Sequence, residues 1–157
     1  MMKEYQNRLR VEMDSLPENE ALARSVAAAF AAVLDPTAEE LTEIRTAVSE
    51  AVSNAIIHAY GPAAEETEAG TAPGTVVLEF HALPERKLMI VVEDKGIGIE
   101  DVARAMEPLF TTKKEEERSG MGFTVMESFM DRIEVESAPG KGTRVSMWKA
   151  LDGSYGF

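Results

Sequence analysis

The stretch from Leu41 to Tyr60 reads LTEIRTAVSEAVSNAIIHAY and carries the strongest structural pattern of the chain. Its apolar residues recur at helical spacing and form one continuous stripe, made by Leu41, Ile44, Val48, Ala51, Val52, Ala55, Ile56 and Ala59. Thr37 and Glu40, just before it, match the capping box that begins a helix. The sequence therefore predicts an amphipathic helix over residues 37–60.

Two polar residues of this helix, Glu50 and Asn54, lie away from the apolar stripe. Four residues separate them, so they project only about 40° apart around the helix axis. A carboxylate can orient or deprotonate a hydroxyl, and an amide oxygen suits Mg²⁺, which prefers oxygen ligands. Taken alone, the pair is most simply a solvated polar face.

Hydrophobic periodicity predicts the other elements on either side of this helix. Leu9, Val11 and Met13 alternate with charged residues, which is typical of a half-buried strand. The remaining predictions are a helix over 17–34, strands over 75–82 and 87–93, a short helix over 100–106, a helix over 122–131, and a terminal hairpin over 132–137 and 143–150. This order predicts an α/β sandwich (α+β), with helices on one face of a mixed, mostly antiparallel sheet.

Composition restricts the class of protein. The chain has 157 residues, 45% of them hydrophobic, which fits one globular domain over 1–157 and argues against disorder. It has no Cys and two His, which excludes thiolate metal sites and disfavours a multi-His site. A net charge of −12 disfavours direct nucleic-acid binding. Without a signal peptide or a membrane-length apolar run, we expect a cytoplasmic protein with no membrane partner.

Three further motifs are weak when each is taken alone. DKGIG at 94–98 follows a buried strand, and it is most simply a turn. SGMGF at 119–123 begins a helix, where backbone N–H groups favour phosphate, but it is no Walker loop. Gly142 and Thr143 open the last strand, as an ordinary hairpin pair would. Residues 61–74 form a predicted flexible acidic loop.

The order of these motifs is specific. It resembles the order seen in the GHKL ATP-binding (Bergerat) fold. Along the chain come a helix with Glu50 and Asn54, the 94–98 motif after a strand, a polar segment, Gly-x-Gly at the start of a helix, and Gly-Thr on a strand. Three stretches resemble the anti-sigma F factors of spore-forming bacteria: NEALARSVAAAFAAVLDPT at 19–37, the helix quoted above, and PLFTTKKEEERSGMGFTVMESFMD at 108–131. The resemblance covers roughly residues 5–148.

The resemblance implies a role for each matching residue. Glu50 would be the catalytic carboxylate and Asn54 the Mg²⁺ ligand. Residues 108–119 would be a lid over ATP. The implied ATP-binding residues are Asn54, Asp94, Gly96, Gly98, Thr111, Thr112, Lys113, Arg118, Gly120, Met121, Gly122 and Thr143. Asp94 would accept from the adenine amine, with Gly96 and Gly98 leaving room for the ring.

The resemblance also implies partners. Members of the family are cytoplasmic homodimers that hold a sporulation sigma factor inactive and phosphorylate a serine of an anti-anti-sigma protein, using ATP and Mg²⁺. Glu20 and Arg24 would lie on the partner surface, although alone they are most simply a helix ion pair. Three alternatives stay open: the same kinase fold controlling a general-stress sigma factor, the ATP-binding half of a histidine kinase, and a binding module that uses ATP only as a structural ligand.

Overall fold

The computed structural model of the chain describes residues 5–60, 74–99, 101–102, 106 and 122–152. Five strands form one sheet: β1 (Asn7–Asp14), β2 (Thr75–Leu83), β3 (Lys87–Asp94), β4 (Arg132–Ser137) and β5 (Thr143–Ala150). Their order across the sheet is β1-β2-β3-β5-β4, and every neighbouring pair is antiparallel. The predicted antiparallel sheet is confirmed, with β3 at its centre.

Three of the helices begin within two residues of their predicted starts. α1 spans Asn19–Ala32, α2 spans Ala38–Asn54 and α3 spans Gly122–Phe129. The capping box at the start of α2 is formed: Glu40 N–H donates to Thr37 Oγ1 at 3.0 Å, and Thr37 N–H donates to Glu40 Oε1 at 2.8 Å. The predicted continuous helix over 37–60 differs at its end, because Ala55–Tyr60 form a π-helical turn.

The core lies between one face of the sheet and the helices. Alternate residues of β2 are buried, and Leu78 and Phe80 are fully enclosed. β3 is buried at five of its eight positions, as its continuous apolar run predicts for a central strand. α2 lies against α1, α3 and β3. The fully buried alanines Ala23, Ala27 and Ala31 form the stripe by which α1 packs closely.

This packing places the last turns of α2 beside the start of α3. The predicted helix over 100–106 lies mostly outside the described residues, but Met106 N–H donates to Val102 O at 3.1 Å, a contact of helical spacing. No helix in the described ranges combines the length and the hydropathy needed to cross a membrane.

Candidate active site

The polar pair of α2 meets the start of α3. A Cβ atom added at Gly122 would lie 3.1 Å from Asn54 Nδ2, 3.4 Å from Asn54 Oδ1 and 3.5 Å from Glu50 Oε2. Gly122 is buried, whereas Glu50 and Asn54 are partly exposed. The structure thus brings a carboxylate and an amide to the N-terminal end of a helix, where backbone N–H groups and the helix dipole favour anions.

Asp94 ends the central strand with its side chain almost fully buried. Its Oδ1 accepts a hydrogen bond from Gly96 N–H at 2.9 Å. Burial raises the pKa of the Asp94 carboxyl above its usual range, while hydrogen bonds from the backbone N–H groups of Gly96 and Thr143 oppose the rise. Such an acceptor, held at the end of a buried strand, is suited to a ligand's N–H donor.

The loop after Asp94 packs against the turn between β4 and β5. Gly98 has φ +78°, and a Cβ atom there would lie 2.0 Å from Ala138 O. Gly142 also has φ +78°, and a Cβ atom there would lie 2.1 Å from Asp94 O. Gly140 N–H adds a hydrogen bond to Ile97 O at 2.7 Å. Glycine at 98 and 142 is therefore required by contact between two backbone segments, and a role in accommodating a ring stays a prediction.

Ser137 joins these segments and was missed at the sequence level. Its Oγ accepts from Ile99 N–H, contacts Gly142 O and contacts Thr143 Oγ1, each at 2.8 Å. One sequence feature does mark it, because Ser137 occupies the inward-facing series of β4 that begins with Ile133 and Val135. A polar residue in an inward series needs a partner, and here it has three.

A hollow of about 340 Å³ lies beside Asp94. Its lining includes Asp94, Lys95, Ser137, Lys141, Gly142 and Thr143. The ends of β3 and β4, the β4–β5 turn and the start of β5 therefore line one open recess. Both residues predicted to lie at the adenine, Asp94 and Thr143, are on its wall.

The other predicted residues are divided between α1 and undescribed segments. On α1, Glu20 Oε1 lies 3.1 Å from Arg24 Nε and also accepts from the Ser49 hydroxyl, one residue from Glu50. Outside the described residues lie the predicted lid over 108–119, all of the acidic loop except Gly74, and the site residues Thr111, Thr112, Lys113, Arg118, Gly120 and Met121.

Comparison with known proteins gives the family. A family model for the histidine kinase-like ATPase domain matches residues 13–149. The anti-sigma F factor of Caldanaerobacter subterraneus is 54% identical over 149 residues, covering 94% of this chain and 96% of that protein. That of Pasteuria penetrans is 50% identical, covering 94% and 93%. The chain belongs to the anti-sigma F factor family of histidine kinase-like ATPases. The resemblance seen in the motifs is therefore confirmed.

Solved structures agree with the fold of this family. The structure of the RsbU and RsbW domains of Rv1364c from Mycobacterium tuberculosis has a TM-score of 0.63 at 16% identity, over 93% of this chain and 33% of that one. The catalytic domain of the histidine kinase ThkA has a TM-score of 0.52 at 16% identity, over 91% of this chain and 96% of that one. At these identities the likeness shows the fold alone.

The residues present fit the ATP that this family binds. A side chain at Gly122 would fill the space beside Glu50 and Asn54, whereas glycine leaves it open at the helix N-terminus. Asn54 offers a side-chain oxygen, the type of ligand that Mg²⁺ prefers, and Mg²⁺ in phosphoryl-transfer sites has few protein ligands beside phosphates and water. Asp94 offers an acceptor for a base at the hollow, and Thr143 lines the same hollow.

Proposed function

We propose that this chain is an anti-sigma factor and an ATP-dependent serine protein kinase. It binds a sporulation sigma factor and holds it inactive, and it phosphorylates a serine of an anti-anti-sigma protein. The observation that supports this best is the meeting of Glu50 and Asn54 at Gly122, in a chain 50–54% identical to anti-sigma F factors. A cytoplasmic homodimer is part of the same proposal.

The proposed chemistry needs a base and charge neutralisation. When bound, ATP with Mg²⁺ supplies the γ-phosphoryl group and neutralises the charge that develops on transfer. The Glu50 carboxylate takes the proton of the serine hydroxyl as the serine oxygen–phosphorus bond forms and the bond to ADP breaks. The Asn54 amide oxygen would hold Mg²⁺, and the backbone N–H groups at the start of α3 would bind the phosphates.

The base of the nucleotide is assigned to the other end of the site. Asp94 and Thr143 line the hollow and provide acceptors for the adenine amine. The predicted contacts of Thr111, Thr112, Lys113 and Arg118 with phosphate belong to the proposal through the family motif alone. Glycine at 98 and 142 keeps the loop after Asp94 against the β4–β5 turn, which supports a preformed wall.

The proposed partner surface is on α1. Glu20 and Arg24 form an ion pair with side chains 22% and 39% exposed, so a partner can reach them. Glu20 also accepts a hydrogen bond from Ser49, next to Glu50 on α2. A protein that binds Arg24 would therefore contact the ion-pair partner of Glu20. Glu20 is in turn hydrogen-bonded to α2, the helix that carries Glu50.

The proposal is tested with Glu50→Gln and Glu39→Gln. Both substitutions remove one carboxylate from α2, but Glu39 is exposed in the first turn of the helix, away from the site. The chain, Mg-ATP and an anti-anti-sigma protein from the same genome are mixed, and intact masses are followed over time. We expect one phosphoryl group on the partner, with the rate lowered about 100-fold or more by Glu50→Gln and unchanged by Glu39→Gln.

Binding of sigma factors separates the alternatives. Pull-downs with a sporulation and a general-stress sigma factor, each with ATP, identify the target. Capture of the general-stress factor alone would favour that branch, and a stable phosphohistidine on the chain would favour a histidine kinase. Transfer at the normal rate by Glu50→Gln would contradict the assignment of the base.

A further inference from the structure

The Ser137 hydroxyl has three hydrogen-bonding neighbours at equal distance. Ile99 N–H, Gly142 O and Thr143 Oγ1 each lie 2.8 Å from Ser137 Oγ. The neighbours come from the loop after β3, the β4–β5 turn and the start of β5. A hydroxyl has one proton and two lone pairs, so these three contacts use its whole capacity.

Only one arrangement of protons satisfies all three contacts. The carbonyl of Gly142 has no proton, so this contact requires the proton of Ser137. Ile99 N–H occupies one lone pair of Ser137. The contact with Thr143 must then be made by the Thr143 proton, donated to the second lone pair of Ser137. If Ser137 donated to Thr143 instead, two oxygen acceptors, Ser137 Oγ and Gly142 O, would face each other at 2.8 Å without a proton.

This arrangement determines what Thr143 offers to a ligand. Its proton is directed to Ser137, so Thr143 Oγ1 presents lone pairs alone. The Asp94 carboxylate has about four lone-pair sites, and backbone N–H groups of Gly96 and Thr143 occupy some of them. Both residues line the same hollow. Its wall therefore provides two acceptors side by side, which an exocyclic amine with two N–H groups can satisfy.

We propose that Ser137 is a positioning residue that sets the base specificity of the site. By holding Thr143 as an acceptor, it makes the hollow bind a purine that carries an exocyclic amine and reject one that carries a carbonyl at the same place. A carbonyl there would face two acceptors, with no donor between them. This inference rests on the proposed function, which provides the nucleotide.

The unmodified chain provides the first test. Dissociation constants are measured by calorimetry for ATP, for purine riboside triphosphate, which lacks the amine, and for inosine triphosphate, which has a carbonyl in its place. We expect affinity to fall about tenfold when the amine is removed and about 100-fold or more when a carbonyl replaces it. Inosine triphosphate bound as tightly as ATP would overturn the proposal, whatever any variant does.

The variants separate specificity from structure. Ser137→Ala frees the Thr143 proton to turn into the hollow as a donor, so the preference for ATP over inosine triphosphate should fall about tenfold. Ser137→Thr keeps a hydroxyl and should keep the preference. Ser146→Ala is the control, since it removes another serine hydroxyl, from a buried residue of β5 that makes none of these three contacts.

A structural role alone gives a different result. If Ser137 only supports the loop, Ser137→Ala weakens the binding of ATP and of inosine triphosphate by the same factor. The ratio of their dissociation constants then stays unchanged. That outcome in a folded variant would overturn the proposal while leaving the kinase intact. If the unmodified chain bound none of the three nucleotides, the proposed function itself would be overturned.

Discussion

At the scale of single residues, three glycines with the same backbone conformation have different surroundings. Gly98, Gly140 and Gly142 have φ of +78°, +75° and +78°. A Cβ atom at Gly140 would meet nothing within 4 Å, whereas one at Gly142 would lie 2.1 Å from Asp94 O and 2.9 Å from Lys95 Cα. Conformation alone therefore explains Gly140, while Gly142 also reflects the contact between the two loops of the site.

This difference predicts unequal effects of Gly140→Ala and Gly142→Ala. The first should lower the free energy of unfolding by about 1 kcal/mol, the cost of a left-handed alanine. The second adds overpacking against backbone and should cost about 2–4 kcal/mol. Gly142→Ala should also weaken ATP binding, because Asp94 must shift. Urea unfolding and nucleotide titration measure both effects, and equal losses of stability would contradict the packing argument.

Local patterns predict some of these residues, and tertiary contacts determine the others. The sequence predicts that Glu50 and Asn54 share a helix face, because helical periodicity depends on neighbours in the chain. It marks Gly98 through a motif but does not indicate the contact seen in the fold, because the atom that a Cβ would meet belongs to Ala138, forty residues away. Ser137 was missed for the same reason, since it bonds Ile99 from another loop.

At the scale of elements, the β2–β3 connection anchors the end of α1. Glu85 and Arg86 both have left-handed φ, 64° and 57°, which is unfavourable for non-glycine residues. The Arg86 guanidinium donates to Leu34 O at 2.6 Å and to Asp35 O at 2.6 Å, just beyond α1. It also donates to Asp152 O at 3.0 Å. These bonds offset the backbone cost at Arg86.

The two turn residues therefore form a matched pair for glycine substitution. Glu85→Gly relieves the left-handed backbone and should raise the free energy of unfolding by up to about 1 kcal/mol. Arg86→Gly gains the same relief but loses several charged hydrogen bonds, so it should lower the free energy of unfolding by about 2 kcal/mol net. Denaturant unfolding checks the signs, and two changes of the same sign would show that the guanidinium does not anchor α1.

The elements themselves were largely predictable. The five strands and the starts of α2 and α3 follow from alternation, capping residues and turn residues, which are local properties. The π-helical turn Ala55–Tyr60 was not predicted, since its apolar residues continue the helical stripe of α2. The Arg86 anchor joins residues about fifty positions apart, and no local pattern marks it.

At the scale of the whole molecule, the Asp94 carboxylate has two opposing effects. It would bind the nucleotide, and its charge lowers the stability of the fold. Burial raises the pKa of its carboxyl in the folded chain, so the folded state favours the protonated form. The stability contributed by the protonated carboxyl is fully present below pH 3.8, the usual pKa of an aspartate side chain. It is lost as pH rises through the raised pKa of Asp94. At neutral pH the charged carboxylate therefore lowers stability at the position where it would bind the amine of ATP.

Asp94→Asn should consequently have opposite effects without and with nucleotide. Without nucleotide, the variant should gain stability relative to the unmodified chain as pH rises from 3.8 through the raised pKa of Asp94, since the amide stays neutral. With ATP at about 100 times its dissociation constant, the unmodified chain should gain about 2.7 kcal/mol, and the variant should gain much less because it lacks the anionic acceptor. Urea unfolding across this pH range, with and without Mg-ATP, measures both effects.

Asp14→Asn, at an exposed position ending β1, should keep the full response to ATP. An Asp94→Asn chain that is less stable at every pH, or that responds fully to ATP, would show that the buried carboxylate is held for the fold and not for the nucleotide.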